Sequence, residues 1–225
     1  MIATWPCSLA DGATSDELLV TIGEGDKASL LVIPPLFAEH NLMRRQMVLV
    51  MRALANHGIV SHLPDLPGWN ESLAPLRLQT LDGWRSVIAQ AAEQFGTTHV
   101  FAVRSGALLC PPQSQGWLYA PQSGAKLLRA MIRAQGISNR EAGIEETSEH
   151  MAERGRAEGI TLAGWEIGAP LFGELEAAEP LQSDGLTEIA QNGVGSPGLW
   201  LRAEPGENAE QAERIAALIA KAIDS

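Results

Sequence analysis

Residues 99–109 read His99-Val100-Phe101-Ala102-Val103-Arg104-Ser105-Gly106-Ala107-Leu108-Leu109. The first five form a compact apolar run of strand length. Arg104-Ser105-Gly106 then turns the chain, and residues 107–109 begin a helical stretch. Pro111-Pro112 must cut that helix very short, because proline lacks a backbone donor and clashes with the preceding turn. A buried strand running into a sharp turn and a helix is the unit from which a parallel sheet is assembled.

The same alternation extends in both directions. Upstream, residues 18–22 and 28–33 are short apolar runs and read as strands. Between them Gly23-Glu24-Gly25 reads as a hairpin loop; no lysine-serine end follows, so it is not a phosphate cradle. Residues 41–56 carry apolar side chains at helical spacing, with Arg44, Arg45 and Arg52 on the other face, and His57-Gly58 stops the helix. A strand at 59–63 enters the irregular Pro64-Asp65-Leu66-Pro67-Gly68 loop. A helix over 80–95 starts on Thr80 and stops at Gly96. Downstream, 117–120 reads as another buried strand and 126–134 as a helix. Residues 139–159 are charged and poor in core residues, as in an exposed helical lid. Residues 160–167 form a strand or hairpin edge, and 170–178 a helix. Strand candidates at 186–190 and 199–202 precede a periodic closing helix over 208–223. Strands alternating with helices predict a mainly parallel sheet with helices on both faces. Ligands in such sheets bind at the carboxyl ends of the strands. The loops 34–41, 64–71 and 103–108 meet at that edge.

Composition narrows the class. The chain has 225 residues, enough for one large α/β unit. With 45% hydrophobic and 19% charged residues it is not a disordered chain. Sixteen Lys+Arg against 27 Asp+Glu leave a net charge of -11, which argues against a nucleic-acid surface. Cys7 and Cys110 suit neither a metal site nor a disulfide framework and read as reduced thiols. No signal peptide opens the chain and no run of 18 apolar residues occurs, so a cytoplasmic protein without a membrane span is expected. No cofactor or metal is expected.

The order of elements, the Pro64–Gly68 segment and the turn 102–106 together resemble the α/β-hydrolase superfamily over roughly residues 18–223. Pro34-Pro35-Leu36-Phe37-Ala38-Glu39-His40-Asn41 with Arg44-Arg45, the turn 103–109, and Ala163-Gly164-Trp165-Glu166-Ile167 resemble motifs of the exosortase A system-associated hydrolases. The resemblance implies one hydrolase-like domain over 1–225 with 124–180 as lid or insertion. It also implies an accessory role in exopolysaccharide production, exerted through a small ligand or a protein partner.

The catalytic pattern of that superfamily fails at two positions. A nucleophile elbow needs its nucleophile at the centre of five residues with small flanks. Here the flanks Ala102 and Gly106 match, but the centre is Arg104, a permanently charged guanidinium. Ser105 lies one step later, where its side chain points elsewhere; it reads as a helix N-terminal serine. A catalytic histidine is expected near the end of the chain. The histidines are His40, His57, His62, His99 and His150, and Ser196 stands where the imidazole would be. Without imidazole no group titrating near neutrality can take the serine proton.

Two readings of the strand-end residues follow. In one, an ester or thioester hydrolase uses Ser105 with His40 or Asp65. In the other, Leu36, Glu39, His40, Arg104 and Ser105 surround a small anion. Against both stand plainer roles: His40 as a loop histidine, Asp65 as a turn aspartate, and Arg104 paired internally with Asp65 or Glu39. Arg44-Arg45 reads as a solvated helix face, and the tryptophans as core or lid packing.

Overall fold

The computed structural model describes residues 1–9 and 12–224. In chain order the elements are β1 (Ile2–Ser8), β2 (Thr14–Ile22), β3 (Ala28–Ile33), α1 (Ala38–Ala55), β4 (Ile59–Pro64), α2 (Leu81–Gln94), β5 (His99–Val103), β6 (Gly116–Tyr119), α3 (Gly124–Glu141), α4 (Ser148–Glu158), β7 (Ile160–Leu162), β8 (Trp165–Ile167), α5 (Ala169–Ala177), β9 (Leu186–Ile189) and α6 (Ala209–Ile223). Short 3-10 turns occupy Arg104–Leu109, Gln191–Val194 and Leu199–Leu201, among others.

Seven strands form one sheet in the order β1-β2-β4-β3-β5-β6-β9. The β1–β2 and β2–β4 pairs are antiparallel and every other pair is parallel. The central strands β3, β5 and β6 are buried on both faces because helices cover both. On β3, Leu31 and Ile33 point into one core with Val100, Ala102 and residues of α2, α3 and α5. Leu30 and Val32 point into the other, with Phe101, Val103, Tyr119 and the inner faces of α1 and α6. The period-2 pleat alone divides one strand between two cores.

Local chemistry sets the helix boundaries. Thr80 caps α2 by accepting the Gly83 N–H at 2.9 Å, and Gly96 follows the helix at φ 59°. Asn208 caps α6 by accepting the Gln211 N–H at 2.9 Å. Each such cap contributes about 1 kcal/mol.

Two expectations need correction, and one strand lies outside them. Strand β1 escapes a search for contiguous apolar runs because only Trp5 and Cys7 are buried, two residues apart, while its other residues face outward or lie half-buried. Gly23-Glu24-Gly25 is not a hairpin: β4 lies between the strands it joins, and the segment crosses over it. The strand expected at 199–202 is a 3-10 turn, so the sheet ends on β9. The charged stretch 139–159 is largely exposed, with Met151 and Gly155 the buried residues of α4. A Cβ at Gly155 would meet the Phe172 ring, so glycine sets how closely α4 approaches α5.

Residues 124–178 supply α3, α4, the β7–β8 hairpin and α5 between β6 and β9. Among the described residues no helix is long and apolar enough to cross a membrane.

Candidate functional site

The parallel strands β3, β5 and β6 deliver three loops to one edge of the sheet. At the end of β5 the chain turns sharply, with Arg104 at φ 54°. That left-handed conformation costs a residue bearing a Cβ about 1–2 kcal/mol. Gly106 completes the turn because a Cβ there would run into the carbonyl oxygens of Ile33 and Pro34 on the neighbouring strand. The tight turn foreseen at 102–106 is therefore present, small flanks included.

Arg104 does not face open solvent from this turn. Its side chain is 15% exposed. Nε and Nη2 donate to the two carboxylate oxygens of Glu39 at 3.1 and 3.3 Å. Nη1 donates to the Ala120 carbonyl at 3.1 Å, and Nη2 also donates to Gln122 Oε1. The guanidinium carbon lies 4.3 Å from the centre of the Trp200 ring, a cation–π contact. One side chain thus ties together the start of α1, the loop after β6 and the 3-10 turn that replaces the expected last strand. Ala120 sits at φ 47°, at the point where its carbonyl is offered to the guanidinium. The partner of Arg104 is Glu39, not Asp65.

Ser105 is fully buried. Its Oγ accepts the Leu36 N–H at 2.9 Å. It does not cap its own helix, which is a 3-10 turn with Val103 at its head. Ser105 instead engages an amide of the loop after β3, where hydrolases of this topology take one oxyanion-hole donor. Among the described residues neither His40 nor Asp65 is hydrogen-bonded to Ser105.

His40 and Asp65 do meet, in a separate network. Arg44 Nη1 donates to His40 Nε2 at 2.8 Å and to Asp65 Oδ1 at 3.1 Å. Asn70 Nδ2 donates to the same His40 nitrogen at 3.2 Å and to Asp65 Oδ2 at 3.0 Å. Both donors require an unprotonated Nε2, so the imidazole is neutral with its proton on Nδ1. Burial pushes the His40 pKa down to about 4; the Asp65 carboxylate opposes this shift and the Arg44 charge adds to it. Asp65 is 2% exposed and accepts from two side chains, so it is more than a turn aspartate. Arg44 is correspondingly half-buried and held by this network, whereas Arg45 is 69% exposed and pairs with Glu207.

A second buried acid adjoins this network. Glu17 of β2 accepts from Ser15 and Ser72 hydroxyls at 2.6 and 2.8 Å, and burial raises its pKa.

The remaining histidines serve packing and surface roles. His62 contacts Thr21 and stacks on Phe95, and His99 stacks on Trp117. His57 donates its backbone N–H to Leu54 at the end of α1. His150 is exposed beside Glu146. Ser196, at the expected place of a catalytic imidazole, stands at φ 63° and accepts from Asn208 through Oγ at 3.1 Å. Its carbonyl accepts from Gln191, which in turn accepts the Tyr119 hydroxyl. Among the described residues no cluster of three or more His, Cys, Asp or Glu is placed to hold a metal ion.

Gln122, Asn70 and Trp200 complete these networks and were not singled out from the sequence. Gln122 and Asn70 lie in irregular loops without periodicity. Trp200 reads as core packing, because nothing in the sequence near it announces a cation partner.

This topology and this turn are those of the α/β-hydrolase fold. Solved structures of similar shape agree. An esterase domain of a Rhodothermus marinus protein is similar with a TM-score of 0.56 and 13% identity, over 100% of this chain and 98% of that one. A thermophilic esterase of Thermogutta terrifontis is similar with a TM-score of 0.55 and 12% identity, over 99% and 98%. A hydrolase-type protein of Agrobacterium vitis S4 has a TM-score of 0.54 and 16% identity over the full length of both chains. At these identities the likeness speaks for the fold alone. No protein-family model matches the chain. No curated protein matches it in sequence.

Proposed function

We propose that this chain is a non-hydrolytic protein built on the α/β-hydrolase fold, with 124–180 as its lid region. Its role is accessory to exopolysaccharide production in the cytoplasm, as its resemblance to the exosortase A system-associated hydrolases implies. The observation that carries the non-hydrolytic reading is the occupied elbow. The central position holds a cation clamped by Glu39, Gln122, the Ala120 carbonyl and the Trp200 ring. A guanidinium cannot form an acyl intermediate. The neighbouring hydroxyl is engaged by the Leu36 amide, and among the described residues no imidazole is hydrogen-bonded to it. The same geometry favours a protein partner over a small anion. Any carboxylate or phosphate reaching Arg104 must first displace Glu39 from a two-pronged pair.

The test is p-nitrophenyl ester turnover by the purified chain beside Ser105→Ala. The expected result is equal, background rates in both. Turnover abolished by Ser105→Ala establishes the ester hydrolase instead. Calorimetric titration with inorganic phosphate and a phosphorylated sugar addresses the anion. No heat of binding is expected; heat that disappears in Arg104→Ala replaces the partner-protein reading with ligand binding. Loss of exopolysaccharide on deleting the gene, restored by the Ser105→Ala chain, is the expected cellular outcome.

A further inference from the structure

A sizeable cavity lies away from the elbow. It is an open groove of about 1090 Å³ between α3 and α4. Leu128, Ile132, Met151 and Phe172 form its buried apolar floor. Its walls carry opposite charge. Arg129, Arg133 and Arg140 line the α3 side, at spacings of four and seven residues that place them in one stripe. Glu145, Glu149 and Glu153 line the other side at intervals of four. All six are exposed. Among the described residues the three arginines make no ion pair, whereas Arg156 across the groove is held by Glu176 at 2.7 Å.

A basic stripe left unpaired in a chain of net charge -11 is a surface awaiting an acidic partner. A purely anionic occupant would meet the glutamate wall, and a purely cationic one the arginine wall. The occupant must carry both signs, at this spacing, beside apolar surface. The face of this chain itself has that pattern. Rotation by 180° about an axis through the groove lays a glutamate stripe over an arginine stripe twice, which is the self-complementarity a two-fold interface requires. Half-buried Ala152, on the α4 side of the groove, leaves room for close helix approach, and Ile144 at its end is 53% exposed.

We propose that two copies of this chain associate about a two-fold axis through this face, the glutamate stripe along α4 of each seated against the arginine stripe of α3 of the other. The experiment is light scattering on size-exclusion eluate of the full chain, up to about 100 µM, the range in which micromolar association is visible. The expected mass at low salt is twice the 24.0 kDa of one chain. It returns to one chain in about 1 M NaCl, where charges are screened beyond about 3 Å. Arg129→Glu/Arg133→Glu and Glu149→Arg/Glu153→Arg are each expected to be monomeric, and their equimolar mixture dimeric. Circular dichroism verifies that both remain folded. If either is not, Arg129→Gln/Arg133→Gln is expected to weaken association at least tenfold. A wild-type chain that stays monomeric overturns the proposal and leaves the groove to a different protein. A dimer indifferent to every substitution, or reversed folded variants that fail to pair, overturns it equally.

Discussion

Arg104 and Glu39, 65 residues apart in the chain, meet in a two-pronged ion pair at 3.1 and 3.3 Å at the point where β5 turns into its 3-10 helix. The side chains are 15% and 17% exposed. Arg104 holds this contact from a left-handed backbone conformation. The strain of the elbow is thus retained, and its side chain now braces three loops.

Removing the brace separates contact from strain. Arg104→Ala and Arg104→Gly lose the same hydrogen bonds, but only glycine tolerates φ 54° without penalty. Both variants are expected to be less stable than the wild type, and Arg104→Gly to exceed Arg104→Ala by about 1 kcal/mol. Glu39→Ala, which strands a mostly buried guanidinium, should lose about 1–3 kcal/mol. Urea denaturation measures all three; equal stability of the alanine and glycine variants counts against a strained turn.

Arg104→Ser places a hydroxyl at the centre of the elbow. It should remain inactive on p-nitrophenyl esters, because Ser196 and not an imidazole follows late in the chain. Turnover gained by this single substitution would reveal a general base among groups assigned here to structure.

Ser105→Ala leaves the buried Leu36 N–H without its acceptor. An unsatisfied buried donor costs about 1–3 kcal/mol. The midpoint of thermal unfolding should fall by a few degrees, about 2–4 °C per kcal/mol for a chain of this size. A scanning calorimeter decides it; an unchanged midpoint would mean that water replaces the hydroxyl.

His40 makes stability depend on pH. Its folded pKa of about 4 lies below the ordinary 6.5, so between these values the unfolded chain binds the extra proton. The stability that His40 contributes is present in full above pH 6.5 and is lost as the pH falls toward 4. His40→Gln should flatten the denaturation midpoint across that window. A variant with the wild-type slope would assign the pH dependence elsewhere, with His62 and His99, whose pKa values burial also lowers, the next groups to test.

Both thiols should be slow to react in the native chain. Cys7 is pushed up to about 11 by burial and by the nearby Glu17 charge, and Cys110 to about 12 by burial alone. Thiolate is the reactive form. At pH 8 a disulfide reagent should titrate both only after denaturant is added; rapid release from the folded chain would indicate local opening of β1 or of the turn after Leu109.

Much of the scaffold was legible because it rests on local pattern. The strands 28–33 and 99–103 appear at the bounds expected, since their apolar runs have strand length and end at Pro34 and at the elbow. Helix α2 begins after Thr80, as its capping side chain indicates, and α6 covers the periodic stretch expected at the end of the chain. Strand β1 was missed because it buries only Trp5 and Cys7, and the register against β2 that places them is non-local. The last strand was overread because 199–201 is apolar yet turns, with Trp200 against Arg104.

The residues by themselves determined the alternation of strands and helices, the tight turn at 102–106 and the absence of serine and late histidine from their expected places, because periodicity, glycine, proline and side-chain identity act within a few positions. Only the tertiary structure decided that Arg104 is clamped by Glu39, that Ser105 serves the Leu36 amide, and that His40 and Asp65 share Arg44 and Asn70. Those pairings join loops brought together by the order β4-β3-β5-β6, and a side chain's partner depends on which strand lies beside its own.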